Sequence, residues 1–92
     1  MRLDAYLSTT GLIKRRTLAR QLCDAHKVKV NDKTAKPGRE IKVGDLIGMN
    51  LSRGYQLIEV IDLPARSIRK EERENYYLLR EFVPRQKNED PF

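Results

Sequence analysis

Cys23 and His26 stand three residues apart, and each is the only residue of its kind in the chain. A zinc site draws four N, S or O ligands, so this pair falls well short of one and no metal is expected. Nucleophilic catalysis through Cys23 is no better served, because there is no other histidine to act as its base. His26 falls where a helix commonly ends in the left-handed conformation, which His tolerates better than most residues. The five glycines, Gly11, Gly38, Gly44, Gly48 and Gly54, match neither a Walker loop nor a dinucleotide fingerprint. No isolated carboxylate pair sits in an apolar setting, so acid/base catalysis has no candidate. These residues describe a binder without a cofactor, not an enzyme.

The chemistry that remains is that of cations. The net charge is +6, from 19 basic and 13 acidic residues. Residues 1–36 hold nine Lys/Arg against Asp4, Asp24 and Asp32, whereas residues 37–92 hold ten of each sign. The whole excess therefore lies in the first two-fifths of the chain. Charge runs are usually solvated surface, but this segregation is the footprint of a polyanion binder. No aromatic residue interleaves Lys14 to Lys36, so a base-stacking platform for single strands is not expected. Arginine and lysine alone point to backbone and shape recognition, with arginine able to grip a phosphate through two bonds.

The elements that must position these cations follow from periodicity. Leu3, Tyr6 and Leu7 share one face of a short helix over Arg2–Thr9, with Asp4 in its first turn as a dipole partner. A second helix is predicted from Lys14 to Ala25. On it, Leu18, Leu22 and Ala25 form the expected inward side, while Arg16, Arg20 and Lys27 return to the opposite side if the turn persists that far. Lys14 and Arg15 at its start oppose the helix dipole, an arrangement that suits an external anion. Val28-Lys29-Val30 alternates as a half-buried strand, and Asn31-Asp32 is a tight turn. Pro37-Gly38 fits a type II turn, and Val43-Gly44-Asp45 is another turn. Leu46–Leu51 and Tyr55–Ile61 read as two strands that close before Pro64. Tyr76, Leu79 and Val83 at helical spacing predict a C-terminal helix, although Tyr77-Leu78-Leu79 also suits a strand. Residues from Arg85 to Phe92 form a polar, mobile tail in this reading.

Ninety-two residues make one small domain with a modest core. Charged residues are 35% of the chain, and the longest apolar run is Tyr76-Tyr77-Leu78-Leu79, far short of a membrane span. The N-terminal residues carry no signal-peptide pattern, and a lone cysteine suits a reducing compartment, so a cytoplasmic protein with no membrane partner is expected.

Met1-Arg2-Leu3-Asp4 with Leu7, then Leu12 to Ala19 (LIKRRTLA), then Val28-Lys29-Val30-Asn31 and Val43-Gly44-Asp45, closely resemble the alpha-L RNA-binding motif. That module was first named for a small-subunit ribosomal protein. The stand-alone length and the first two strings are most similar to its branch of ribosome-associated quality-control and small heat-shock RNA-binding proteins. The resemblance covers residues 1 to about 62. The family usually has glycine where this chain has His26, and Asn-Gly where it has Asn31-Asp32; both positions are conformational. The fold implied is α+β: two N-terminal helices packed on a small, mostly antiparallel sheet, with a short C-terminal helix and a polar tail. The boundaries are 1–65 for the RNA-binding domain and 66–92 for the helix and tail.

The resemblance implies a non-enzymatic protein that binds large ribosomal subunit RNA and an obstructed peptidyl-tRNA after subunit splitting. A partner, the alanine-tailing quality-control factor, would meanwhile extend the nascent chain. Arg2 and Arg16 match positions expected to touch RNA. Lys14, Arg15, Arg20 and Lys27 are added from the helical wheel, and Lys36 from the charged run. A monomer is expected in isolation. Two rivals are a helix-turn-helix DNA binder, which would normally dimerise and read bases, and a detached targeting module of an RNA-modifying enzyme. A protein-only chaperone is a third.

Overall fold

The computed structural model describes residues 1–85. Two helices, α1 (Leu3–Thr9) and α2 (Arg16–Asp24), precede five strands: β1 (Val28–Val30), β2 (Lys33–Thr34), β3 (Leu46–Leu51), β4 (Gly54–Val60) and β5 (Tyr77–Pro84). The strands form one antiparallel sheet in the order β2-β1-β3-β4-β5. This is the α+β arrangement of two N-terminal helices on a small antiparallel sheet that the sequence implies.

The core lies between the helices and one face of the sheet. Leu3, Tyr6 and Leu7 are fully buried, as their spacing requires, and meet Val28, Val30, Ile47, Met49, Ile58 and Val60 from alternate positions of the strands. Lys29, between two buried valines, faces solvent. The turn between β1 and β2 places both Asn31 (φ 51°) and Asp32 (φ 71°) in the left-handed region, which is a type I′ hairpin turn. Gly44 (φ 97°) occupies the position of a type II turn that L side chains resist. The Lys36–Arg39 turn is closed by the Arg39 N–H donating to the Lys36 carbonyl at 3.0 Å. Gly38 there does not take a positive φ, so the type II geometry expected at Pro37-Gly38 is replaced.

Three further expectations are corrected. The second helix is shorter than Lys14–Ala25: Arg15 is its N-cap, Ala25 its C-cap, and His26 (φ 62°) takes the left-handed conformation that ends it. Its inward side is Ala19 and Cys23, both buried, with Leu22 packed half-buried beside them, and not Leu18 or Ala25. Leu18 is 43% exposed and Ala25 lies at the surface. Small side chains let α2 lie close against α1, and that closeness outweighs the burial its larger leucines would give.

The third concerns the C-terminal region. Only Lys70–Asn75 is helical, as a 3-10 segment in which the Glu72 carboxylate accepts from the Arg69 N–H at 2.8 Å. Tyr77–Pro84 is a strand, the alternative reading of Tyr77-Leu78-Leu79. Cross-strand pairing from Val60↔Tyr77 to Gly54↔Pro84 overrides the helical spacing of Tyr76, Leu79 and Val83. A register shift leaves Arg80 as the extra residue of a bulge, with its guanidinium 3.4 Å from Glu59. The Tyr6 hydroxyl donates to the Tyr76 carbonyl at 2.7 Å and so ties α1 to the start of β5. The tail expected over Arg85–Phe92 lies, beyond Arg85, outside the described residues.

Candidate nucleic-acid interface

Asp4 organises the site. It is one of two buried polar residues in the described chain, the other being Thr10, and its side chain is fully covered. Its Oδ1 lies 3.1 Å from the Arg2 Nε and its Oδ2 lies 3.3 Å from the Arg16 Nε. The Ala5 N–H adds a bond to Oδ1 at 2.8 Å. Burial pushes the Asp4 carboxyl upward, but the hydrogen bonds from Arg2 and Arg16, with the nearby charge of Arg16, carry it below the ordinary carboxylate range. It therefore stays ionised at neutral pH. One carboxylate thus holds two guanidinium groups whose side chains remain about half exposed, at 51% and 52%. The acid expected as a dipole partner of α1 supplies part of the negative charge that the start of α2 lacks. A net positive charge is left facing solvent.

The backbone around this clamp is fixed. The carbonyl of Arg39 accepts from the Leu3 N–H at 2.8 Å and that of Pro37 from the Asp4 N–H at 3.1 Å. The Lys36–Arg39 turn thereby satisfies the first donors of α1, which no side chain caps. Gly38 lies under the Arg2 guanidinium, where an added Cβ would stand 3.7 Å from its central carbon. Arg2, Arg20, Lys36 and Arg39 then line a cleft of about 590 Å³, with Asp24 as its acidic member.

Of the seven candidates, Arg2, Arg20 and Lys36 share this cleft, and Arg16 joins them through Asp4. Arg15 is exposed at the N-cap of α2 and is not among the residues that line this cleft. Lys14 and Lys27 stand in a separate groove with Arg53 and Arg85. The wheel placed Lys27 beside Arg16 and Arg20, but the left-handed turn at His26 sends it elsewhere. Arg39, Arg53 and Arg85 were hidden in the electrically neutral part of the chain. The turn bonded to Leu3 brings Arg39 back to the basic half, and the β4–β5 pairing sets Arg53 beside Arg85; a count along the sequence cannot register either.

Cys23 is buried and free, and burial, followed by the charges of Asp4 and Asp24, pushes its thiol up to about 11. That is the opposite of an activated nucleophile. Among the described residues no cluster of three His, Cys, Asp or Glu side chains forms, and no helix is long and apolar enough to cross a membrane.

Fold and site together define a small α+β module that presents guanidinium groups, held on a buried carboxylate, around a cationic cleft. The S4 domain model matches residues 1–47. The chain is 35% identical over 89 residues to the RQC P-site tRNA stabilizing factor of Halalkalibacterium halodurans, covering 97% of this chain and 100% of that one. It is 38% identical over 64 residues to the protein of the same name from Helicobacter pylori strain J99, covering 70% and 76% of the two chains. Among solved structures, the trimeric structure of Vibrio cholerae Heat Shock Protein 15 superposes with a TM-score of 0.82 at 25% identity, covering 87% of this chain and 81% of that chain. The solution structure of the hypothetical protein HP1423 gives 0.75 at 30% identity, covering 88% and 98%. The chain belongs to the S4-domain family and, within it, to the RQC P-site tRNA stabilizing factors.

Proposed function

We propose that this protein is a non-enzymatic RNA clamp of ribosome-associated quality control, gripping the P-site peptidyl-tRNA and neighbouring ribosomal RNA on large subunits. Arg2, Arg16, Arg20 and Lys36 contact phosphates, and Arg39 joins them from the turn beneath Arg2. Arg15 flanks the set, and Lys14 and Lys27 add to the long-range field. The protein acts in the cytoplasm while the alanine-tailing factor extends the stalled chain. The observation that carries this reading is the pair of arginines fixed on buried Asp4 beside the cleft. Guanidinium groups already oriented by a carboxylate lose little freedom on meeting a phosphate, so the contact is strong for its size. The names of the full-length relatives supply the choice of RNA.

Co-sedimentation with purified large subunits, with and without peptidyl-tRNA, tests the reading. Retention is expected to be greater when peptidyl-tRNA is present. With about five phosphates contacted, log affinity falls against log salt with a slope of roughly −3.5 to −4.5. A flat salt dependence, or equal affinity for duplex DNA at the same salt, overturns it.

A further inference from the structure

Helix α2 carries a second apolar strip that the described chain covers only in part. Ala19 and Cys23 are buried and Leu22 packs half-buried at the core's edge, while Leu18 is 43% exposed. By the ~3.6-residue period, Leu18 lies about 160° around the helix from Arg20, so this second strip points away from the cationic cleft. The two leucines form part of the floor of a groove of about 380 Å³. Lys14, Lys27, Arg53 and Arg85 stand along its rim.

Within the described residues these four cations are uncompensated. Among the described residues none of them is paired with a carboxylate. Arg85 donates to the carbonyls of Ser52 and Leu51, each at 3.1 Å, and Arg53 to the Gln56 side-chain oxygen at 3.1 Å. Those acceptors are neutral; they fix the guanidinium groups in place without cancelling their charge. An aliphatic floor rimmed by positive charge is a poor match for RNA. Phosphates gain nothing from leucine, and bases need aromatic faces that no described residue of this groove supplies. It does match a protein segment that carries apolar side chains flanked by acids, because burial of the former and pairing of the latter then coincide.

We propose that this groove docks an acidic, leucine-bearing segment of a partner protein. Its apolar side chains seat on Leu18 and Leu22, and its carboxylates face Lys14, Lys27, Arg53 and Arg85. With Arg16 and Arg20 directed to the other side, one helix joins a protein to the polyanion bound across it.

The test is a methyl-detected NMR titration of the full-length chain with synthetic helical peptides of about fifteen residues. The probe peptide is rich in glutamate and has leucines at every third or fourth position. One control replaces its leucines by serine, and another its glutamates by lysine. The acidic leucine peptide is expected to shift the Leu18 and Leu22 methyls and to bind at least about tenfold more tightly than either control. Leu18→Glu, and separately Lys14→Glu with Lys27→Glu, should each weaken it by about tenfold with an unchanged thermal midpoint. Arg20→Ala with Lys36→Ala, which leaves the Asp4 pairs intact, should bind the peptide like wild type while losing RNA, which separates this proposal from the RNA reading. The proposal is overturned if the serine peptide binds equally well or if folded Leu18→Glu binds normally. Displacement of the peptide from the groove by a short RNA, or self-association of the chain through the groove, overturns it as well.

Discussion

The Asp4 carboxylate of α1 lies 3.3 Å from the Nε of Arg16 on α2, and the acid is fully buried while the arginine is half exposed. The asymmetry has a purpose that neither residue has alone. A buried carboxylate is stable only when paired and hydrogen-bonded, so Arg2 and Arg16 cannot leave it without a penalty. Each guanidinium nevertheless keeps donors on its solvent side, because its five N–H groups exceed what one shared carboxylate can accept. The two helices are thereby locked together by the same contact that aims their cations outward.

Replacing Asp4 by asparagine should expose this coupling. The amide can still accept from the Ala5 N–H, but its NH2 group then faces a guanidinium that can only donate. A loss of about 1–3 kcal/mol is expected in a denaturant titration. A substitution that leaves stability untouched would mean the clamp is incidental.

The acid limb of the stability profile carries the same signature. The folded pKa of Asp4 is depressed, so its contribution is complete above the ordinary value near 3.8 and disappears as pH falls through the folded value. Glu40, paired with the N-terminal ammonium at 2.6 Å, is shifted in the same direction from an exposed position. Stability should therefore fall as the pH drops below about 4, and Asp4→Asn should flatten that slope. Thermal melts between neutral and acidic pH check it.

The two faces of α2 should respond in opposite ways to changes in size. Leu18→Ala shortens an exposed side chain and should cost about 0.5 kcal/mol or less. Ala19→Leu places three extra carbons where the side chain is fully buried against the core, and should cost about 1–3 kcal/mol. If instead Leu18→Ala unfolds the domain, the orientation of the helix is wrong.

In the turn between β1 and β2, two left-handed residues should behave differently when changed to glycine. Asp32→Gly relieves the φ of 71° and should stabilise by up to about 1 kcal/mol. Asn31→Gly relieves a φ of 51° but removes a side chain that accepts from the Leu46 N–H at 2.9 Å and reaches Asp45 at 3.1 Å. It should therefore destabilise, by about 1 kcal/mol. Denaturant midpoints for both variants decide it.

What the sequence discloses follows from how local each signal is. Alternation in Val28-Lys29-Val30 and the Asn31-Asp32 pair report conformations set within a few residues, and both appear in the structure as read. The inward side of α2 was illegible because its contacts with α1 favour alanine and cysteine, which hydrophobicity ranks below the leucines beside them. β5 was hard to read because its side chains beyond Tyr77 are exposed, so no alternation marks it and pairing with β4 alone defines it. Four of the seven candidate cations are neighbours. The separation of Lys27 from the rest depends on where α2 stops, which the left-handed His26 settles, and that of Lys14 on where it starts, since the helix begins only after the Arg15 N-cap.

The division of cations into two clusters yields the sharpest test of the proposed function. Arg20 and Lys36 line the cleft beside Asp4, whereas Lys14 and Lys27 line the groove on the other side of α2. Each double alanine variant removes two positive charges from an exposed surface, so net charge and stability change alike. If only the long-range field mattered, both pairs would weaken association with the large subunit equally. Direct phosphate contact predicts a difference. Arg20→Ala with Lys36→Ala should lower affinity by more than tenfold and reduce the salt slope by about two, whereas Lys14→Ala with Lys27→Ala should leave the slope nearly unchanged. Arg39→Ala, at a position the sequence count placed in the neutral region, should behave like one half of the first pair. Equal slopes for the two double variants would remove the cleft as the site of phosphate contact.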